Sequence, residues 1–280
     1  MPQFRTSGGS GFLIRLSISP VLLALVLCTL PSFAQERLRL ATTTSVQDTG
    51  LLPHLLSHFE RRWGCKVDVI AVGTGQALKI ASSGDVDMVL VHDPVSEQKF
   101  LDDGFGINRK TFMVNDFVIL GPSSDPARIR NMKDAARAFS AIQHSGAFFI
   151  SRGDGSGTNQ KERSLWKKSG ANPQGSWYLE TGQAMGAVLT MANEKEAYTL
   201  SDRASYLARG NSLHLQVLVE GDPDLINTYS AIQVNPRHLP SINAVLAEKL
   251  VAWLCSPEGQ RLIGSYRVNE HQLFRPACGQ

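Results

Sequence analysis

Leu38-Arg39-Leu40-Ala41-Thr42-Thr43-Thr44-Ser45 is a short apolar run that leads directly into four successive hydroxyl residues. The stretch that it opens, through residue 91, decides the fold. Leu51, Leu52, Leu55, Leu56 and Phe59 recur near the helical period, which predicts a helix over 50–63. Gly64 closes it as a C-terminal cap. Residues 67–72 read as a second strand. Gly73-Thr74-Gly75 then turns into a helix through Ala77, Leu78, Ile80 and Ala81, closed by Gly84. Residues 86–91 read as a third strand, ending in His92-Asp93-Pro94. Strand, helix, strand, helix, strand predicts a parallel sheet with both faces covered.

Outward from that core, apolar runs predict strands over 38–41, 112–120, 147–150, 197–200, 215–219 and 231–234. Helices are expected over 132–143, 158–168, 184–193, 201–208, 242–253 and 257–265. No internal repeat appears, and no Pro/Gly/Ser linker is long enough to separate independent domains. The expected fold is therefore α/β with two lobes, each a mainly parallel sheet with helices on both faces, and a ligand cleft between them. Residues 35–116 with 232–280 form lobe 1 and 117–231 form lobe 2. The chain crosses outward near 115–120 and returns over 228–234, so the last helices rejoin the first lobe.

Residues 1–34 read as a secretory signal. Arg5 and Arg15 make a basic start, residues 22–30 an apolar core, and Ser32-Phe33-Ala34 a small-x-small cleavage site. Removing them takes two of the 28 basic residues and none of the 25 acidic ones, leaving a charge near +1. No basic run alternates with aromatics, so nothing points to nucleic acid. The expectation is an exported, monomeric protein. Of the cysteines beyond the signal, Cys255 with Cys278 is the preferred disulfide. That leaves Cys65 as a small hydrophobe beside a strand.

Two polar motifs, each between a strand and a helix, carry the chemistry. Thr42 to Ser45 is the first. One hydroxyl could simply cap the helix, but four exceed that need. Thr43, Thr44 and Ser45 can offer O–H and N–H donors to one anion. The second is Ser151-Arg152-Gly153-Asp154-Gly155-Ser156-Gly157-Thr158. Arg152 brings a charged fork, Gly153, Gly155 and Gly157 permit close backbone approach, and Ser156 and Thr158 add hydroxyls at a helix start. Asp154 orients Arg152. Together these are the means of holding a small oxyanion. Thr74 offers a further donor. Gln183, in Thr181-Gly182-Gln183, either bonds the anion or caps a helix.

Catalytic signatures are missing. His54 and His58 lie one helical turn apart without an HExxH context, and no GxSxG elbow or CxxC pair occurs. No general base can be nominated beside the anion motifs, so neither an enzyme nor a cofactor nor a bound metal ion is expected.

With these residues in view, the chain resembles the periplasmic tungstate-binding proteins of ABC importers. The resemblance runs through Thr42-Thr43-Thr44-Ser45, Val72-Gly73-Thr74-Gly75, Val91-His92, Ser151 to Thr158, Glu180-Thr181-Gly182-Gln183, Ala197 to Arg203, Glu220-Gly221-Asp222-Pro223 and Glu258-Gly259-Gln260. It implies a type II, two-lobed binding protein that closes on tungstate, or on molybdate. It also implies delivery to a membrane permease driven by an ATPase. In that reading Thr43, Thr44, Ser45, Thr74, Arg152, Ser156 and Thr158 point into the cleft. Periplasmic phosphate-binding proteins are similar over Arg152 to Thr158, so a phosphate receptor is the alternative. A secreted phosphate-processing enzyme is a more distant one. Protonated phosphate rewards a carboxylate acceptor, whereas a full dianion is repelled by one. Asp93 is therefore the residue on which the two receptor readings divide.

Overall fold

Strand β1 (Arg37–Thr43) alternates its side chains between two cores. Leu38 and Leu40 enter one apolar cluster and Ala41 enters another on the opposite face, as the two-residue period of a strand requires. In a computed structural model of the chain, residues 1–3, 8, 35–237, 239 and 241–279 are described. The signal segment expected over 1–34, with its cleavage site near Ala34, lies outside the described residues except for 1–3 and 8.

After β1 come a one-turn helix α1 (Thr44–Asp48), α2 (Leu51–Trp63), β2 (Lys66–Val72), α3 (Thr74–Ser82), β3 (Met88–Val91) and α4 (Pro94–Asp102). β2 and β3 flank β1 in parallel register, Thr43 opposite Val72 and Ala41 opposite Val89. The strand–helix alternation thus builds the parallel sheet predicted for it. β4 (Gly106–Gly121) follows, then α5 (Ala135–Ser145), β5 (Phe149–Ser151), α6 (Gly157–Ser169), β6 (Tyr178–Glu180), α7 (Met185–Glu194), β7 (Thr199–Asp202), α8 (Arg203–Ala208) and β8 (Gln216–Val219). The chain closes with β9 (Ile226–Val234), α9 (Ala244–Leu254), α10 (Pro257–Ser265) and the short strands β10 (Arg267–Val268), β11 (His271–Gln272) and β12 (Arg275–Pro276).

The sheets are mixed, and the two longest strands explain why. β9 pairs antiparallel with β3 on one side and β4 on the other. β4 then runs on to pair antiparallel with β7 and β8. It is 16 residues long and serves two sets of cores. Phe112 and Met113 lie in the cluster with Leu38. Phe117 and Ile119 lie in a second cluster with Phe139, Phe149 and Trp166. Val118 and Leu120 lie in a third with Met185 and Leu189. Each sheet is therefore covered on both faces, α2, α9 and α10 opposite α3 and α4 in one lobe, and α5 and α6 opposite α7 in the other. This is a two-lobed α/β fold.

Cys255 and Cys278 form a disulfide, joining the end of α9 to the C-terminal segment. Cys65 is a buried thiol in the first core. No described helix is long and apolar enough to cross a membrane.

Candidate oxyanion site

The first motif ends β1, and its hydroxyls divide their work. Thr42 Oγ1 donates to the Leu90 carbonyl at 3.0 Å and so ties β1 to β3. Thr43 precedes α1 without capping it. Its Oγ1 instead lies 3.1 Å from Ser45 Oγ, and Ser45 Oγ lies 3.4 Å from His92 Nε2. Thr44 is half-buried. With α1 a single turn long, this motif contributes hydroxyls more than a helix dipole.

The second motif is a loop between β5 and the thirteen-residue α6. Gly153 and Gly155 sit at φ +61° and +69°, conformations that strain any other residue. Arg152 is 3 % exposed. Its Nε and Nη2 donate to Asp154 Oδ2 at 3.1 and 2.6 Å, and Asp154 Oδ1 accepts the Ser156 N–H at 3.1 Å. Asp154 is thus the brace that the sequence suggests. Burial pushes its carboxyl up, but the bonds from Ser156 and Arg152 outweigh this and hold it below the usual range. Ser156 caps α6 by accepting from the Asn159 N–H. Thr158 lies in the first turn with its Oγ1 buried and, among the described residues, without a hydrogen-bond partner.

The second motif faces the turn before α3 and the ring of His92, which Ser45 of the first motif also reaches. A Cβ built on Gly73 would lie 3.9 Å from Ser156 Cα, and one built on Gly157 would lie 2.7 Å from His92 Cε1. Thr74, the first residue of α3, is buried, and its Oγ1 also lacks a partner among the described residues. Two buried hydroxyls left unbonded on facing elements are costly unless something else bonds them, on the order of 1–3 kcal/mol each. Thr43, Ser45, Thr74, Arg152, Ser156, Gly157 and Thr158 are all buried around this junction. Gln183 is exposed instead, its backbone N–H donating to Thr181 Oγ1 at 3.2 Å. Thr158→Val, which keeps the shape and removes only the hydroxyl, should leave folding stability within about 0.5 kcal/mol or raise it. Anion affinity should fall roughly tenfold. Unchanged affinity in titration calorimetry would take Thr158 out of the shell.

Asp93 is committed locally. It precedes α4, and Ser96 Oγ donates to its Oδ2 at 2.5 Å. Pro94 in the first turn is a regular helix-starting residue.

Three residues not singled out from sequence support the site. Glu162, on α6, is 2 % exposed and accepts from Ser151 Oγ at 2.8 Å, Tyr178 OH at 2.8 Å and Trp166 Nε1 at 3.1 Å. Ser151 also accepts from Asn159 Nδ2, and Asn159 Oδ1 accepts the Gly155 N–H. The anion loop is therefore pinned from behind through Glu162. A Glu in a helix of low apolar content reads as solvated, so only its position one turn from Trp166 could have marked it. Burial raises its carboxyl to about 7 despite these donors. The unfolded chain releases this proton near the ordinary value and the folded chain holds it to about 7. Stability from this group is therefore full at low pH and lost as pH rises through that window, by at most about 1.4 kcal/mol per pH unit. Glu162→Gln should flatten that slope in denaturant titrations between pH 5 and 7. An unaltered slope would show that Glu162 does not titrate there.

Asp202 ends β7, fully buried, and caps α8 by accepting the Ser205 N–H at 2.9 Å. Burial raises its carboxyl, with Arg152 acting in the opposite sense. His92 is 4 % exposed at the end of β3. Its Nδ1 lies 3.1 Å from Asn227 Oδ1, and the Tyr229 ring packs against it at a 31° tilt, centroids 4.8 Å apart. The ends of parallel strands are where α/β sheets bind ligands, and that position is its sequence signal. Among the described residues, no group of three His, Cys, Asp or Glu side chains could hold a metal ion.

Residues 32–258 match the family model of the PBP superfamily domain. The tungstate-binding protein TupA of Peptoclostridium acidaminophilum is 42 % identical over 247 residues, which is 87 % of this chain and 86 % of that one. The crystal structure of the tungstate ABC transporter from Geobacter sulfurreducens is 52 % identical with a TM-score of 0.76, covering 82 % of this chain and 99 % of that chain. The tungstate-binding protein TupA from Desulfovibrio alaskensis G20 is 44 % identical with a TM-score of 0.76, covering 87 % and 99 %.

Proposed function

Because the chain belongs to the PBP superfamily, and within it to the family of TupA tungstate-binding proteins, we propose that it captures tungstate outside the cytoplasm and delivers it to an ABC permease. Molybdate, nearly the same size, is the competing ligand. The observation that carries this reading is the facing pair of buried, unbonded hydroxyls, Thr74 and Thr158, beside the buried Arg152 fork. One positive charge and a ring of neutral donors suit a small tetrahedral dianion.

The shell is Thr43, Thr44, Ser45, Thr74, Arg152, Ser156, Gly157 and Thr158, with Gln183 a candidate on the rim. A smaller anion leaves some of these donors unmet, and each costs about 1–3 kcal/mol. No cofactor takes part, and the protein acts as a monomeric receptor rather than an enzyme. Residues 1–34 direct export to the periplasm. Lobe 1 comprises 35–116 and 232–280, and lobe 2 comprises 117–231. The clusters support a return crossing nearer Ile226, since Leu225 packs in one core and Tyr229 in another. Shell residues on both sides of the crossings make closure of the lobes part of binding.

Titration calorimetry of the signal-free protein, refolded to strip bound anion, would use tungstate, molybdate, sulfate and phosphate in separate runs. Tight one-to-one tungstate binding with little phosphate heat is expected. Tight phosphate binding without tungstate heat would overturn the reading and turn attention to Asp93.

A further inference from the structure

His92 sits inside the proposed shell with both ring nitrogens engaged, and its partners determine which nitrogen carries the proton. Asn227 Nδ2 lies 2.8 Å from Asn115 Oδ1 and 2.8 Å from the Tyr229 hydroxyl. In the structure Asn227 turns its amide oxygen toward His92. That oxygen only accepts, so His92 Nδ1 donates to it across 3.1 Å. In a neutral imidazole the other nitrogen is then an acceptor. Nε2 therefore presents a lone pair, and the hydroxyl in reach is that of Ser45 at 3.4 Å. Ser45 spends its proton on His92 and accepts from Thr43 at 3.1 Å.

This arrangement leaves the proposed shell one donor short, because Ser45 has no proton left for the ligand. A proton on Nε2 corrects this shortfall. Nε2–H would donate to Ser45 Oγ, and the Ser45 hydroxyl would turn its own hydrogen to the anion. We propose that His92 is the proton-uptake residue of the receptor: capture of a tetrahedral dianion draws one proton from solvent onto Nε2, which releases Ser45 to join the shell. The inference rests on the tungstate-receptor reading and extends it.

The groups around the ring support this assignment. From β9 it meets Asn227 and Tyr229, from β4 Phe117, and from the start of α6 the backbone of Gly157. The charge across from it is Arg152, paired with Asp154; Arg152 acts on Asp202, and Asp202 on Tyr229. Asp93 is next in the chain and bonded to Ser96. Burial first, and Arg152 after it, hold the ring neutral in the protein alone, lowering it to about 4 against the pull of Asn227. A dianion facing the ring acts in the opposite direction. With the folded-state value raised by the ligand, affinity is higher at low pH. It falls as pH rises through the bound-state value, by up to tenfold per pH unit.

The test is tungstate calorimetry on the signal-free protein at pH 7 in several non-phosphate buffers of different ionisation heat. The slope of heat against buffer ionisation heat counts the protons taken up. A positive slope of up to one proton per tungstate is expected for the native protein, with a slope near zero for His92→Gln. Should His92→Gln fail to fold, ring-nitrogen NMR of the native protein reads the same event. The His92 Nε2 signal should move from that of a lone-pair nitrogen to that of a protonated one on adding tungstate. Tungstate binding with zero native slope and an unmoved Nε2 signal overturns this inference alone and leaves the receptor standing. A slope that persists in His92→Gln also overturns it, moving the proton to another group such as Asp202. Absence of tungstate heat overturns both readings.

Discussion

Arg152→Ala is expected to weaken tungstate binding by roughly two to three orders of magnitude while the protein remains folded. The side chain is 3 % exposed, so its charge acts in a medium that screens poorly. Arg152 is the buried member of the pair and Asp154 the exposed one, and truncating a buried, hydrogen-bonded charge costs about 2–5 kcal/mol in binding, part of it from the partner charge left behind. Here that charge is Asp154, which then faces the anion without its partner. Two companion variants separate the contributions. Arg152→Lys keeps the charge but loses the planar fork, and should recover only part of the affinity. Arg152→Ala combined with Asp154→Asn should bind better than Arg152→Ala alone, because the repulsion is gone. Folding should survive, since Asp154 keeps the Ser156 N–H. Calorimetry and circular dichroism on the same samples decide the matter. A loss of less than tenfold in a folded Arg152→Ala protein would remove Arg152 from the shell.

Trp166→Ala should be the most damaging single change to stability, at about 3–5 kcal/mol. Trp166 is 2 % exposed and meets Phe139 at 4.4 Å and Phe149 at 5.2 Å, both edge-on, with Trp177 and Tyr178 beyond. Its removal opens a cavity that rigid rings cannot collapse to fill. It also deprives Glu162 of one of its three donors. Since Glu162 holds Ser151 behind the anion loop, tungstate affinity should fall as well, even where the variant is folded. Trp166→Phe keeps most of the apolar volume but not the N–H, and should cost about 1–3 kcal/mol. Denaturant midpoints would measure both. A loss below about 1 kcal/mol for Trp166→Ala would show that the ring cluster collapses into the gap after all.

The parts of the fold legible in sequence are those where one period dominates. The helical period over 257–265 predicts α10 with the bounds it has. α2 begins one residue inside its expected span, because Gly50 serves as its N-cap. The apolar run at 231–234 marks only the end of strand β9, which starts at Ile226. Its first half carries Asn227, Thr228 and Ser230, polar residues that break the apolar run within the return crossing expected over 228–234, and that the structure buries or half-buries as part of a strand. β4 begins at Gly106 rather than Phe112 because Asn108, Arg109 and Lys110 hide the alternation, and the pairing slips between Ile107 and Lys110. Helix α4 is hidden for a different reason. It has Phe100 as its one buried apolar residue, while Val95 is exposed. In the site, the hydroxyl and glycine motifs announce themselves by density. His92, Glu162 and Asp202 do not, because a single buried titratable residue has no pattern around it until the fold supplies one.

The strand order β2-β1-β3-β9-β4-β12 has a consequence for biogenesis. The place between β3 and β4 is filled by β9, which is made after the whole of the intervening lobe. Until residues 226–234 exist, the edges of β3 and β4 have no partner, although β3 is buried along its whole length in the finished protein. The first sheet therefore cannot close on a growing chain, and its apolar edge stays open until synthesis is nearly complete. Truncation just before β9 should yield a product prone to aggregation, in which β1, β2 and β3 and the strands of the second lobe can pair but the edge of β3 stays open.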